Sequence, residues 1–328
     1  MVAHGKSTGF QSLNRGYNSV FRPGKLSLGV VVPLGNYERS PVPTMVGQLE
    51  RIQLAESLGF SALWLRDVPF NVPSFGDAGQ VCDPFVYLGF LAAQTSRIAL
   101  GVSSIVLPLR HPAHVAKAAA SVDVLSGGRL ILGVASGDRP DEYPALNQDY
   151  QNRGERFRES FDYIREMAKP SPAFRNAYGR SNGEIDMLPK PEAGKLPLLI
   201  TGSSQQDVDW IARRGDGWMI YPRNAPAQSQ IIGDWRARIR DAGRPDQPVM
   251  QPLHIDLTDD PDTPPQPIHL GFRLGSKRLM DHLKLLEEIG VNHVALNLRF
   301  NTGDIENTLT QLADTILPHF NNQNTRDS

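Results

Sequence analysis

The chain has 328 residues but a single cysteine, Cys82. One thiol excludes an internal disulfide framework and fits a reducing, cytoplasmic setting. Charge of one sign is also lacking: 34 basic and 35 acidic residues leave a formal net charge of -1. That gives no electrostatic footprint for nucleic acid. No apolar run approaches the roughly 20 residues that a membrane helix needs, so no membrane partner is expected. No GxSxG stretch supports a serine nucleophile, and no GxGxxG follows the first apolar run, which weakens a dinucleotide-binding open sheet. The histidine pair of "HPAH", His111 and His114, has no third ligand at fixed spacing, so no metal is expected.

What is present is a regular alternation. Short apolar runs read as strands at 26–33, 61–67, 97–107, 127–136, 196–202, 216–222, 248–258 and 291–300. Helical patterns follow at 44–59, 83–95, 112–126, 152–168, 203–215, 225–243, 276–290 and 303–320. Asp83 before Pro84 reads as a helix cap, and Gly59 as a helix stop. Eight strand–helix units over this length predict an α/β fold, a closed (β/α)8 TIM barrel with insertions. The expected organisation is an N-terminal extension over 1–25, loose or packed on the outside, one barrel domain over 26–320, and a polar tail over 321–328. Two segments interrupt the pattern. Residues 170–195 read as an excursion with a hairpin. The proline-rich 259–275 is too long for an ordinary connection and reads as a flap or lid.

In such a barrel the chemistry sits at the C-terminal ends of the strands. There the sequence places Arg66 and Asp67; Arg110 and His111; Ser136, Gly137, Asp138, Arg139, Asp141 and Glu142; Gly202, Ser203 and Ser204; Tyr221 and Arg223; and Arg299. "ITGSSQQD" has the composition of an anion site where a helix begins: a glycine for close approach, then serine hydroxyls and free N–H groups. Plain capping by Ser203 or Ser204, with Asp207 completing the box, is the alternative. Ser136 and Gly137 form a second small-residue turn. Taken singly, Asp138, Asp141 and Glu142 read as partners of Arg139 or its neighbours on a solvated loop. Ser103 and Ser104, side by side within an apolar strand, need partners for their hydroxyls.

The run "TSRIALGVSSIVLPLRHPAHVAKAAASVDVLSGGRLILGVASG" resembles the signature of the bacterial luciferase-like flavin-dependent monooxygenases. "LWLRD", "LPLLITGSSQQDVDWIARRGDGWMIYP" and "GVNHVALNLRF" are similar to other strands of that family. The resemblance spans 26–320. It implies a (β/α)8 barrel, a frequent homodimer, and reduced FMN supplied by a separate NAD(P)H:flavin reductase for oxidation of a small organic substrate with O2. It implies a cofactor phosphate between Ser136 and Gly137 on one side and Gly202, Ser203 and Ser204 on the other. It also implies a non-proline cis peptide at Ser103–Ser104 under the flavin ring. Asp67, Arg110, His111 and Asp138 are then candidates for substrate orientation or proton transfer, with the arginines as binders of an anionic substrate. Two departures stand out. Luciferase has a histidine where this chain has Asp67, and a phosphate-binding arginine where it has Ser136. An aspartate at position 67 is similar to the deazaflavin-dependent branch, although Val68 is not the histidine usual there. Deazaflavin-dependent hydride transfer, or a non-catalytic flavin-binding barrel, are the alternatives.

Overall fold

The computed structural model describes residues 9–320. In chain order its strands are β1 (Ser27–Val31), β2 (Ala62–Leu65), β3 (Ala99–Val106), β4 (Leu130–Ala135), β5 (Ala173–Asn176), β6 (Gly179–Asn182), β7 (Leu198–Thr201), β8 (Gly217–Met219), β9 (Val249–Leu257), β10 (Gln266–Ile268), β11 (Gly271–Leu274) and β12 (His293–Asn297). The helices are α1 (Arg15–Val20), α2 (Gln48–Leu58), α3 (Pro84–Gln94), α4 (Pro112–Leu125), α5 (Glu142–Ala145), α6 (Arg153–Met167), α7 (Val208–Arg214), α8 (Ala225–Asp241), α9 (Ser276–Glu288), α10 (Ile305–Thr315) and α11 (Leu317–Phe320).

Eight strands pair in parallel in the order β1-β2-β3-β4-β7-β8-β9-β12 and close from β12 back to β1. The expected (β/α)8 TIM barrel is therefore what the chain forms. Strand side chains alternate between two environments. Val31, Ala62, Trp64, Ala99, Ile131, Leu199, Met219, Met250 and Ala295 fill the barrel interior. Their neighbours, such as Leu63, Leu65, Leu100, Leu132, Ile200, Leu253 and Leu296, pack outward in the helix-covered core. Trp64 takes so much of the interior that Gly101 has no room for a side chain: a Cβ there would lie 2.3 Å from the indole.

Residues 9–25 are not an outer appendage, contrary to the expectation. Asn14 caps α1 and donates to Asp123 Oδ1 (2.8 Å) and to the Leu130 carbonyl (2.7 Å). Tyr17, Val20 and Phe21 join the interior cluster, and the Tyr17 hydroxyl donates to the Asp216 carbonyl at 2.8 Å. The segment closes the N-terminal end of the barrel because the inward side chains there are apolar and need a cover. The expected tail, 321–328, lies outside the described residues.

The excursion over 170–195 contains the antiparallel β5–β6 hairpin. The segment 259–275 is a second hairpin, not a free flap. β10 and β11 pair antiparallel, and β11 runs parallel to β9 over 254–257. β8 pairs with β9 only as far as Met250, which leaves the upper edge of β9 open. β11 supplies the missing backbone partners.

Arg129, from the "LSGGR" run, is buried at the helix-to-strand turns. Its five N–H groups donate to Ser126 O, Thr95 Oγ1, Ile98 O, Ala92 O and Thr95 O at 2.8–2.9 Å. It is a structural staple at the end of the barrel opposite the strand C-termini.

His293 is fully buried in the barrel. The Trp64 indole donates to its Nε2 at 2.8 Å, so Nδ1 carries the proton toward Ser27 Oγ, 2.7 Å away. Burial lowers its pKa to about 3. The unfolded chain protonates this ring below its ordinary 6.5, whereas the folded chain resists until about 3. The stabilisation is complete above pH 6.5 and is lost as pH falls toward 3, at about 1.4 kcal/mol per pH unit. Urea midpoints from pH 7 to 5 should fall accordingly, and His293→Gln should flatten the slope by that amount. An unaltered slope in the variant would contradict this account.

Candidate active site

The inward rows of the strands continue upward into a polar mouth. Two residues beyond Trp64 comes Arg66; beyond Leu199, Thr201; beyond Met219, Tyr221; four beyond Met250, His254; and four beyond Ala295, Arg299. The wall beneath them is interrupted at β3. The Ser103–Ser104 peptide is cis, and pairing with β4 shifts register between Val102 and Ile105. Ser104 Oγ is hydrogen-bonded to Thr201 Oγ1, and Thr201 Oγ1 also lies 3.2 Å from Met219 Sδ. The Ser104 hydroxyl therefore faces the barrel interior, partnered across it.

Charge concentrates above this wall. Asp77, in the loop after β2, accepts from Arg66 Nη2 on Oδ1 and from Arg299 Nη1 on Oδ2, and Gly79 N–H adds a bond of 3.0 Å. Arg139 Nη2 donates to the Asp77 carbonyl at 3.2 Å. Burial lowers the pKa of Arg66, opposed by Tyr37 and reinforced by Arg139 and Arg299. His254 is pushed down to about 3 by burial, with His269, Arg66 and Arg299 adding to the effect. Its ring is neutral at physiological pH. Burial pushes Glu142 up to about 7 against the pull of Arg139, with Asp67 and Asp138 reinforcing the rise. Glu142 thus exchanges a proton near neutrality, in the range suited to general acid–base work.

The residues singled out in the sequence distribute unevenly around this mouth. Asp67 and Arg110 do meet, but with each other. Arg110 Nε donates to Asp67 Oδ2 (2.9 Å) and Nη2 to Oδ1 (2.6 Å), while Val106 N–H bonds Oδ2 at 3.1 Å. Arg110 also bonds Asp83 Oδ2 at 2.8 Å. Burial tends to raise the Asp83 carboxyl, yet Arg110 holds it below the usual range. Asp67 and Arg110 are thus paired with each other at the mouth. His111 caps α4, its Nδ1 accepting from Ala113 N–H at 3.2 Å. Its ring packs edge-on to Tyr163 and Tyr178 beside the first hairpin. Asp138 is exposed at the rim. His111 and His114 stand 5.7 Å apart, and no group of three or more potential ligands gathers a metal among the described residues.

The turns after β4 and β7 lie side by side, since these strands pair. Ser136 is buried and its carbonyl accepts from Tyr143 Oη. Gly137 sits at φ +79°, where a Cβ would come 2.7 Å from Val106 Cγ1 and 2.8 Å from Tyr143 Oη. After β7 the helix begins at Val208 and not at 203, with Asp207 as its cap. The serines therefore do not sit at its N-terminus. Ser204 donates its hydroxyl to Thr201 O at 2.8 Å, and Gly202 N–H is bound to Met219 O at 2.8 Å. Ser203 stays exposed at the turn. The sequence reading overlooked Arg153, at the start of α6. It stacks 3.7 Å from the Tyr150 ring centroid, and its Nε is buried without a partner. The next residue, Gly154, accepts from Gln206 Nε2 at 2.9 Å, which places Arg153 beside the turn after β7. It also overlooked Asp77 and His254; of these, His254 was legible from the alternation along "VMQPLHIDL". Arg66 and Arg299 follow from the same period-two count.

A cavity of about 170 Å3 lined by Ser19, Arg22, Lys25, Glu56, Arg97 and Phe320 lies at the opposite end of the barrel. Barrel chemistry belongs to the strand C-termini, so the polar mouth is the candidate site.

The chain belongs to the luciferase-like monooxygenase family, whose sequence model matches residues 27–264. It is 30% identical over 229 residues to the uncharacterized protein Rv0953c of Mycobacterium tuberculosis, covering 64% of this chain and 79% of that protein. It is 29% identical over 197 residues to the F420-dependent hydroxymycolic acid dehydrogenase of the same organism, covering 58% of this chain and 53% of that one. In fold it is similar to the monooxygenase RslO1 from Streptomyces bottropensis, with a TM-score of 0.69 and 19% identity over 90% of this chain and 99% of that one. The family thus holds both monooxygenases and deazaflavin-dependent dehydrogenases, and this chain is an enzyme of that kind. No helix among the described residues is long and apolar enough to cross a membrane.

Proposed function

We propose that the chain is a two-component monooxygenase that takes reduced FMN from a separate NAD(P)H:flavin reductase and oxidises a small organic substrate with O2. The observation that carries this reading is the break in β3. There β3 shifts register and the Ser104 hydroxyl faces inward against Thr201, beneath a ring of charged groups. The residues fit a flat, phosphate-bearing cofactor: Ser103 and Ser104 stand at one wall below the mouth, while Gly137 and Ser203 stand in adjacent turns. Arg153 supplies beside these turns the positive charge that Ser136 does not. When bound, a reduced flavin supplies the electrons for oxygen chemistry. The protein's own groups orient it, exclude water, and in Glu142 hold a proton exchangeable near pH 7. A homodimer and a cytoplasmic setting are part of the proposal. The apolar Val86 and Phe90 exposed on α3 support an association surface.

A second reading, deazaflavin-dependent hydride transfer, is favoured by the F420-dependent relative and by the aspartate at position 67. Anaerobic titration separates the two. Reduced FMN should bind more tightly than reduced deazaflavin, and Arg153→Ala should weaken reduced FMN about tenfold while leaving reduced riboflavin unaffected, as loss of one charge-assisted phosphate contact predicts. Tighter deazaflavin binding would overturn the first reading, and no dependence on Arg153 would remove it from the phosphate site.

A further inference from the structure

Arg110, the arginine that the sequence offers as an anion binder, is enclosed by Asp67 and Asp83. The mouth holds a different set. Arg66 follows β2, Arg139 lies in the loop after β4, and Arg299 follows β12; all three converge on Asp77. Arg66 and Arg299 share the Asp77 carboxylate, which also accepts from Gly79 N–H, while Arg139 donates to the backbone carbonyl of the same residue. Each arginine keeps a buried nitrogen without a hydrogen-bond partner: Nε of Arg66, Nη1 of Arg139 and Nε of Arg299. Leaving such charged donors unmatched away from water is costlier than leaving neutral ones. Asp138, the acid beside Arg139, stands exposed at the rim. His254 is neutral, and Glu142 is partly protonated near pH 7.

The arginines are also held in place. Arg139 lies 4.8 Å from the Phe75 ring, and Arg299 lies 5.3 Å from both Tyr37 and Phe300. Stacking on aromatic faces orients the guanidinium planes, whose forks match the paired oxygens of carboxylates, sulfonates and phosphate esters. We propose that Arg66, Arg139 and Arg299 form the seat for an anionic group on the organic substrate, and that Asp77 is the internal counter-ion this group displaces. The proposal rests on the reading of the mouth as the active site and narrows its substrate to an organic anion.

Isothermal titration calorimetry with hexanesulfonate and hexanol tests it. Hexanesulfonate should bind and hexanol should not. Arg299→Gln and Arg139→Gln should each weaken the sulfonate at least tenfold, while Asp77→Asn should tighten it several-fold. Arg139→Gln leaves the Arg66–Asp77–Arg299 bridge intact, so one variant tests the seat without disturbing that bridge. Equal binding of hexanol, no binding of hexanesulfonate, or unchanged affinity in both arginine variants would overturn the seat. Titrating reduced FMN into the same variants separates substrate from cofactor. If FMN affinity falls in step with the sulfonate, the arginines hold the cofactor phosphate and the proposal fails. If neither FMN nor deazaflavin binds the wild-type protein while sulfonate binding still needs the arginines, the seat stands and the cofactor reading fails.

Discussion

Replacing Arg129 by methionine is expected to cost about 3–5 kcal/mol, a large part of the roughly 5–15 kcal/mol that holds an ordinary domain together. The side chain is buried, and all five of its donors are engaged, four with backbone carbonyls and one with the Thr95 hydroxyl. Methionine fills much of the volume but offers no donor, so those buried acceptors lose their partners together. Burial lowers the pKa of the guanidinium, with Arg15 adding and Glu56 opposing. Its value to the fold is therefore the hydrogen-bonding fork rather than the charge. Arg129→Lys should recover only part of the loss, because a single ammonium cannot reach acceptors spread around a planar fork. Urea unfolding of the three proteins measures this. A loss below about 1 kcal/mol for the methionine variant would refute the staple role.

The second large effect is expected at Gly137. Its φ of +79° and the 2.7 Å and 2.8 Å approaches of Val106 and Tyr143 leave no place for a β-branched side chain. Gly137→Val must shift the turn after β4, because relaxing in place would strain the backbone and the packing together. That turn is one side of the proposed phosphate site. Reduced FMN affinity should fall about 100-fold, which corresponds to about 2.7 kcal/mol, with helical circular dichroism retained. Unchanged affinity in a folded Gly137→Val protein would place the cofactor elsewhere.

Much of the architecture was legible because barrel strands and helices announce themselves by period. The alternation of "SALWLRD" with its neighbours predicts eight units, and the structure closes them in that order. The β5–β6 hairpin was legible from turn residues alone. Two segments were misread for physical reasons. Residues 9–25 carry no pattern that reveals Tyr17 and Phe21 as the plug of the barrel, since the surface they cover exists only once eight strands close. Residues 259–275 look like a flap because prolines hide the strand Gly271–Leu274, which forms by taking the open edge of β9.

The site divides along the same line. Strand ends identify the polar groups near the mouth, and period-two counting orients Arg66, His254 and Arg299 inward. Pairing between them depends on lateral neighbours and on the path of the loop that carries Asp77. Asp67 and Arg110 look like free chemistry in the sequence, yet they neutralise one another across adjacent strands. Ser203 and Ser204 look like a helix start, yet the chain makes one further turn before Asp207 caps the helix.

By itself the sequence determined the barrel through periodicity and the family through the resemblance of a contiguous run of residues, and that resemblance implied the break at Ser103–Ser104. Only the tertiary structure decided which arginines are engaged and which converge at the mouth. Ion pairing is set by distances between strands and loops far apart in the chain, and local sequence does not encode those distances one residue at a time.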